Sequence, residues 1–186
     1  QGLLPVLEDG EIVLFETGAI LVHLAERTGL LGPDGPEARD PQARAAFLKW
    51  LFYLSNTVHA DLRAAFYSQR YVADPAAIPT LRAGLATRMR GHFALLAGQL
   101  TPQGWLIGAA PTLADLYLAA CLRWARLHPT GAPLLGPDGV PARAMEFLRA
   151  CEARPAVIRA FAAEFIAGRP LTDPAPPQVP AGEVTG

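Results

Sequence analysis

From Asp40 to about Gly168 the apolar residues recur every three or four positions, which commits most of the chain to helices. Phe47, Trp50, Leu51, Leu54, Val58 and Leu62 share one face of a long helix. Asp40 is its expected N-cap and Pro41 its first residue, where the missing N–H of proline costs nothing. The pattern carries this helix to about Tyr71. After Pro75 and Pro79, a second helix is predicted from Leu81, Leu85, Met89, Phe93, Leu96 and Leu100, and a third from Thr112 to about His128. A fourth follows Pro141 and a fifth Pro155. Five such helices pack as a bundle. Strands do not alternate with helices along the chain, so a large parallel sheet is excluded.

The first thirty residues follow another rule. Two short β-prone runs, Leu4 to Leu7 and Ile12 to Phe15, flank Glu8-Asp9-Gly10-Glu11, and Asp9-Gly10 is a hairpin signal because both residues tolerate positive φ. Thr17 is the expected N-cap of a helix carrying Ile20, Leu21, Leu24 and Ala25, closed by Gly29 in the left-handed conformation. The expected organisation is a small α/β unit over residues 1–30, a linker over 31–39, a helical domain over 40–168 and a proline-rich tail over 169–186. That tail is expected to lie over the surface or to stay mobile, with little role in function.

Charge and composition narrow the function. Sixteen basic residues stand against seventeen acidic ones, for a net charge of −1, and they form no basic stripe. A nucleic-acid partner is therefore not expected. No run of about 18 apolar residues has the character of a membrane span, so no membrane partner is expected either. The chain opens without a basic, then apolar, leader, which points to the cytoplasm. Cys121 and Cys151 fall inside apolar helical patterns with no ligand spacing to a histidine, so they are expected to be buried thiols, with no metal and no disulfide. No Ser-His-Asp order, phosphate loop or metal-binding HExxH is present.

Three constellations remain. Thr112-Leu113-Ala114-Asp115 reads as a capping box. Its threonine hydroxyl is expected to accept from the Asp115 N–H, while the carboxylate reaches back to the Thr112 N–H, so both residues are assigned as a structural cap. Tyr117, Ala120 and Trp124 are expected to continue the buried face. Glu16-Thr17 stands at a helix entrance, where free N–H groups and the positive dipole end suit a carboxylate or phosphate. With the Thr17 hydroxyl as donor and the Glu16 carboxylate for an ammonium, the pair would read an α-amino acid moiety; the alternative is that Thr17 simply caps the helix. His59, a lone histidine on the long helix, is either an ordinary packed residue or a ligand contact.

Leu4-Pro5-Val6-Leu7, Asp9-Gly10, Glu16-Thr17-Gly18-Ala19-Ile20 and Leu24-Ala25-Glu26, in that order, resemble the second half of the thioredoxin-like domain of glutathione transferases. Thr112-Leu113-Ala114-Asp115-Leu116-Tyr117-Leu118 is similar to the capping-box segment of the helical domain in the same family. The fold implied is mostly α: a partial thioredoxin-like α/β unit of hairpin plus helix, then an all-α C-terminal bundle.

The resemblance also implies a site. Pro5 would be cis, Val6 would exchange backbone hydrogen bonds with the cysteinyl unit of glutathione, and Glu16 and Thr17 would hold its γ-glutamyl end. Trp50 and His59 match the W-x8-H of the bacterial beta-type branch, which suggests a co-substrate pocket of Phe52, His59, Arg63 and Tyr67, although the same stripe suits a core. Phe52 and Ala60 stand where that branch often has asparagine and lysine.

The implied function is attack of the glutathione thiolate, as co-substrate, on a small hydrophobic electrophile or a disulfide, a detoxification chemistry carried out by a homodimer. A non-catalytic binding or scaffold protein of the same fold is the alternative. The family's first strand, helix and second strand, with the Tyr, Ser or Cys that acts on the thiol, do not precede Gln1. The chain is therefore expected to be the remainder of a longer polypeptide, and its catalytic residue is left unassigned.

Overall fold

The computed structural model describes residues 4–29, 40–128, 134–135 and 139–175. The expected linker over 31–39 and the tail beyond residue 175 lie outside them. Strands β1 (Val6–Asp9) and β2 (Ile12–Phe15) pair antiparallel, with Val6 opposite Phe15 and Asp9 opposite Ile12. The turn therefore centres on Gly10-Glu11 and not on Asp9-Gly10. Only Gly10 takes positive φ, at 63°, which is the pattern of a type II′ turn. Asp9 stays extended, and its carboxylate meets two side chains of helix α1 (Thr17–Thr28): His23 Nε2 at 2.7 Å, and Arg27. These bonds, from His23 first and Arg27 second, hold the Asp9 carboxyl below its usual range. Gly29 ends α1 at φ 73°, in the left-handed region as expected.

The long helix runs as α2 (Pro41–Tyr53), a π-helical turn (Leu54–Val58) and α3 (His59–Phe66). Asp40 caps it by accepting from the Gln42 N–H at 2.9 Å, with Pro41 in the first turn. It stops short of the expected Tyr71 because the backbone leaves the helical region at Tyr67 (φ −113°, ψ 40°), and the buried Ser68 hydroxyl just beyond donates to the carbonyls of Ala64 and Ala65, both at 2.9 Å. Helices α4 (Ile78–Gln99), α5 (Leu113–Arg126), α6 (Ala142–Glu152) and α7 (Pro155–Ala163) follow. Asp74 caps the short 3-10 turn before α4 through the Ala76 N–H.

The chain forms two compact units, Gln1–Asp61 with Gln99–Leu118, and Leu62–Gly98 with Ala119–Gly186. In the first, Phe47, Leu51, Leu54 and Val58 form the core with Ala25, Leu106 and Ala114. In the second, Leu62, Met89, Phe93 and Leu96 are buried, as are Leu122, Phe147 and Leu148. Cys121 and Cys151 are buried there, and burial pushes the Cys121 thiol far above its usual range.

One expectation is corrected, and one alternative left open for the tail is decided. Trp124 is 36% exposed and Ala120 half-buried, because the buried stripe of α5 runs through Leu118, Cys121, Leu122 and Ala125, one step round from the expected line. The start of the tail, from Arg169 to Ala175, is tied down by side chains of α5 and α6. Arg123 donates to the carbonyls of Pro170 (2.7 Å) and Ala175 (2.9 Å), Arg126 to that of Leu171 (2.8 Å). Glu152 accepts from the N–H groups of Leu171 and Thr172 and from the Thr172 hydroxyl. Partial burial opposes ionisation of Glu152, but those three bonds and the Arg169 charge outweigh it and hold its carboxyl low. No described helix is long and apolar enough to cross a membrane.

Candidate functional site

The hairpin register builds the candidate site. With Val6 opposite Phe15, the chain leaves β2 directly into Glu16 and Thr17, so Pro5 and Val6 come to lie beside the start of α1. The Leu4–Pro5 peptide is cis, as the resemblance implied. Val6 is 50% exposed.

Glu16, and not Thr17, is the N-cap of α1. Its carbonyl accepts the first intrahelical bond, from the Ile20 N–H at 3.0 Å, and neither its side chain nor that of Thr17 caps the helix. The structural role open to Thr17 is thus unused. The first amides of α1 are left without the side-chain acceptor that Ser, Thr or Asp gives at most helix starts. Glu16 sits at φ 72°, ψ 118°, a conformation that favours glycine and costs a side chain of order 1–3 kcal/mol. Gly18 in the first turn faces the π-helical segment: a Cβ there would stand 3.6 Å from Ser55 Oγ. An exposed acid in a strained backbone, at an open helix end, is an arrangement that can grip a zwitterion: amides for a carboxylate, the carboxylate for an ammonium.

At the start of α5 the capping box forms with altered roles. The Asp115 carboxylate accepts from the Thr112 N–H at 2.7 Å, as expected, but the Thr112 hydroxyl donates to the same oxygen at 2.8 Å instead of accepting from the Asp115 N–H. That N–H goes to the Thr112 carbonyl. The other carboxylate oxygen takes the Leu106 N–H at 2.8 Å, a partner nine residues upstream that no local motif announces. Asp115 is fully buried; burial pushes its carboxyl up, and the bonds from Leu106 and Thr112 act against that shift.

Among the co-substrate candidates, His59 is half-buried and its Nδ1 lies 2.6 Å from the Tyr117 hydroxyl, with the two rings edge to face at 5.8 Å. Phe52 is exposed. Because the π-helical turn between Phe52 and His59 absorbs one extra residue, Phe52 is rotated by about 100° from the line that a continuous α-helix would give it. Arg63 and Tyr67 are exposed, and the Arg70 guanidinium lies over the Tyr67 ring. The Tyr117 contact escaped the sequence reading, which placed that residue in the core; its burial is as expected and its hydroxyl is the added feature.

Residues 72–163 match the family of the glutathione S-transferase C-terminal domain. Glutathione S-transferase GST-4.5 of Xanthomonas campestris is 29% identical over 135 residues, which cover 73% of this chain and 64% of that protein. Disulfide-bond oxidoreductase YfcG of Escherichia coli is 32% identical over 111 residues, 60% of this chain and 47% of that one. The chain thus spans less than two thirds of the length of these relatives. Among solved structures, a glutathione S-transferase from Xylella fastidiosa superposes with a TM-score of 0.68 at 26% identity, covering 87% of this chain and 75% of the other. A sphingomonad glutathione S-transferase complexed with glutathione gives a TM-score of 0.63 at 26% identity, covering 89% and 76%.

Proposed function

Because this chain belongs to the glutathione S-transferase family, we propose that it binds glutathione where the hairpin meets the first turn of α1, and that the protein transfers the thiol of that tripeptide. The observation that carries the reading is the register that sets Pro5 and Val6 beside Glu16 and Thr17 at an uncapped helix start. The tripeptide supplies the complement: an extended cysteinyl unit for the Val6 backbone, and a γ-glutamyl end with both a carboxylate and an ammonium. The amides of α1 and the Thr17 hydroxyl hold the carboxylate. Glu16 pairs with the ammonium, which gives its strained conformation a purpose.

In the reaction the glutathione thiolate attacks an electrophilic carbon or a disulfide sulfur and a leaving group departs, so the protein must lower the thiol pKa from about 8.5 toward neutrality. A glutathione-complexed structural neighbour and a relative named as a disulfide-bond oxidoreductase support the two forms of that chemistry. His59 is assigned to the site, and Phe52, Arg63 and Tyr67 are individual candidates for contacts with a small hydrophobic co-substrate. A homodimer is part of the proposal. Titration calorimetry tests it: the chain should bind glutathione saturably, and Glu16→Gln should weaken binding about tenfold, the worth of one charge-assisted pair. Unchanged affinity in that variant overturns the site. Binding without any conjugation or disulfide exchange by the whole polypeptide would select the scaffold alternative.

A further inference from the structure

His59 opens α3 directly after the π-helical turn, and its N–H completes that turn by donating to the Leu54 carbonyl. Tyr117 lies in the first turn and a half of α5, two residues beyond Asp115. The buried carboxylate of Asp115, bonded to Thr112 and Leu106, fixes where that helix begins and hence where the Tyr117 ring stands. Tyr117 is 4% exposed, so its hydroxyl sits on a rotamer locked by packing. A hydroxyl held in this way meets Nδ1 at 2.6 Å, short for an O–H···N contact, with the rings edge to face. Imidazole nitrogen is a better acceptor than phenol oxygen, so with neutral His59 the phenol donates and the ring proton resides on Nε2.

Resting on the glutathione reading above, we propose that Tyr117 is a positioning residue for the tripeptide site. It clamps the His59 imidazole by Nδ1, sets the direction and the proton of the ring's other nitrogen, and thereby raises affinity for the anionic tripeptide. The π-helical turn contributes by rotating the following residues by about one position, which carries His59 onto the face that meets Tyr117. The function comes from the hydroxyl and not from the bulk of the ring. Tyr117→Phe is therefore the informative change, because it keeps the packed ring and removes the donor.

Two measurements on this chain test the proposal, each in the wild type and in Tyr117→Phe. The first is the 15N shift of His59 Nδ1, read without ligand: it should move toward that of an unbonded acceptor nitrogen in the variant, and an unmoved shift overturns the clamp. The second is a double-mutant cycle on glutathione affinity. Tyr117→Phe should weaken binding about fivefold beside His59 and less than twofold in a His59→Ala background. Equal losses in the two backgrounds would show that Tyr117 does not act through His59, which overturns the proposal. A wild type that binds no glutathione while the Nδ1 shift still responds overturns the glutathione reading and leaves the clamp standing. The two failures are thus distinguishable.

Discussion

The two helix starts of this protein, that of α1 and that of α5, pose the same problem and answer it in opposite ways. Each presents N–H groups without intrahelical partners. At α5 they are closed off: Asp115 is buried, accepts from Thr112 twice and from Leu106 once, and ties a loop to the helix. At α1 no side chain among the described residues caps, and Glu16 holds a positive φ at the surface. The closed end adds stability, and the open end keeps its donors and its dipole for something else. A carboxylate near a helix start is therefore not diagnostic by itself; burial and bonding decide whether it is a brace or a hand.

Substitutions at the two ends should break the symmetry in different directions. The largest effect is expected for Asp115→Ala, which leaves the buried N–H groups of Thr112 and Leu106 without acceptors and costs about 3 kcal/mol or more. By calorimetry the melting temperature should fall by roughly 6–12 °C, while glutathione affinity changes far less than stability. A larger loss of affinity than of stability would make Asp115 part of the open kind. Next comes Glu16→Gly. Relief of the positive φ should stabilise the fold by about 1 kcal/mol, the strain removed less the extra chain entropy of glycine. The same change should weaken glutathione binding about tenfold. Stability and affinity moving together would end the contrast between the two helix starts.

The smallest effect is on pH dependence, where Asp115 and Asp9 of the hairpin should differ in sign. Hydrogen bonds from His23 and then Arg27 lower the Asp9 carboxyl from its ordinary 3.8. Its contribution is therefore present above that value and lost as pH falls through the folded-state pKa. Asp9→Asn should cost stability at neutral pH and approach the wild type in acid. Burial raises the Asp115 carboxyl, so ionising it works against the fold, and its contribution declines as pH rises from 3.8 through the raised value. The penalty of Asp115→Asn should shrink over that interval. Melting curves from pH 3 to 7 check both signs; parallel curves would remove the distinction.

Much of this was legible in local pattern. The Asp40-Pro41 start, the apolar stripe from Phe47 to Leu62, the left-handed Gly29 and the buried cysteines follow from spacing and from residue types with one conformational use. The misses share a cause. The turn slipped by one residue because Asp9 answers to His23 and Arg27, fourteen and eighteen positions away. The long helix stopped early at Ser68, whose hydroxyl also takes a bond from Arg82. The segment after Arg169, for which the sequence left open lying over the surface or staying mobile, is fastened by Arg123, Arg126 and Glu152, and Leu171 is 2% exposed. Their place at a helix entrance paired Glu16 with Thr17; the family resemblance added Pro5 and Val6 to them as one group.

The amino-acid order by itself settled which segments are helix and strand, because hydrophobic period and the special cases of Gly and Pro act over a few residues. It also marked the inward face of the long helix, from Phe47 to Leu62, though not that of α5, where Trp124 turned out exposed. Folding in three dimensions decided what each polar group does: that Thr112 donates and does not accept, that Thr17 does not cap, that a π-helical turn resets the face on which His59 appears, and that Tyr117 meets it. Those outcomes depend on bonds between residues far apart in the chain, whose energies rest on distance and burial, and neither quantity is written in a linear pattern.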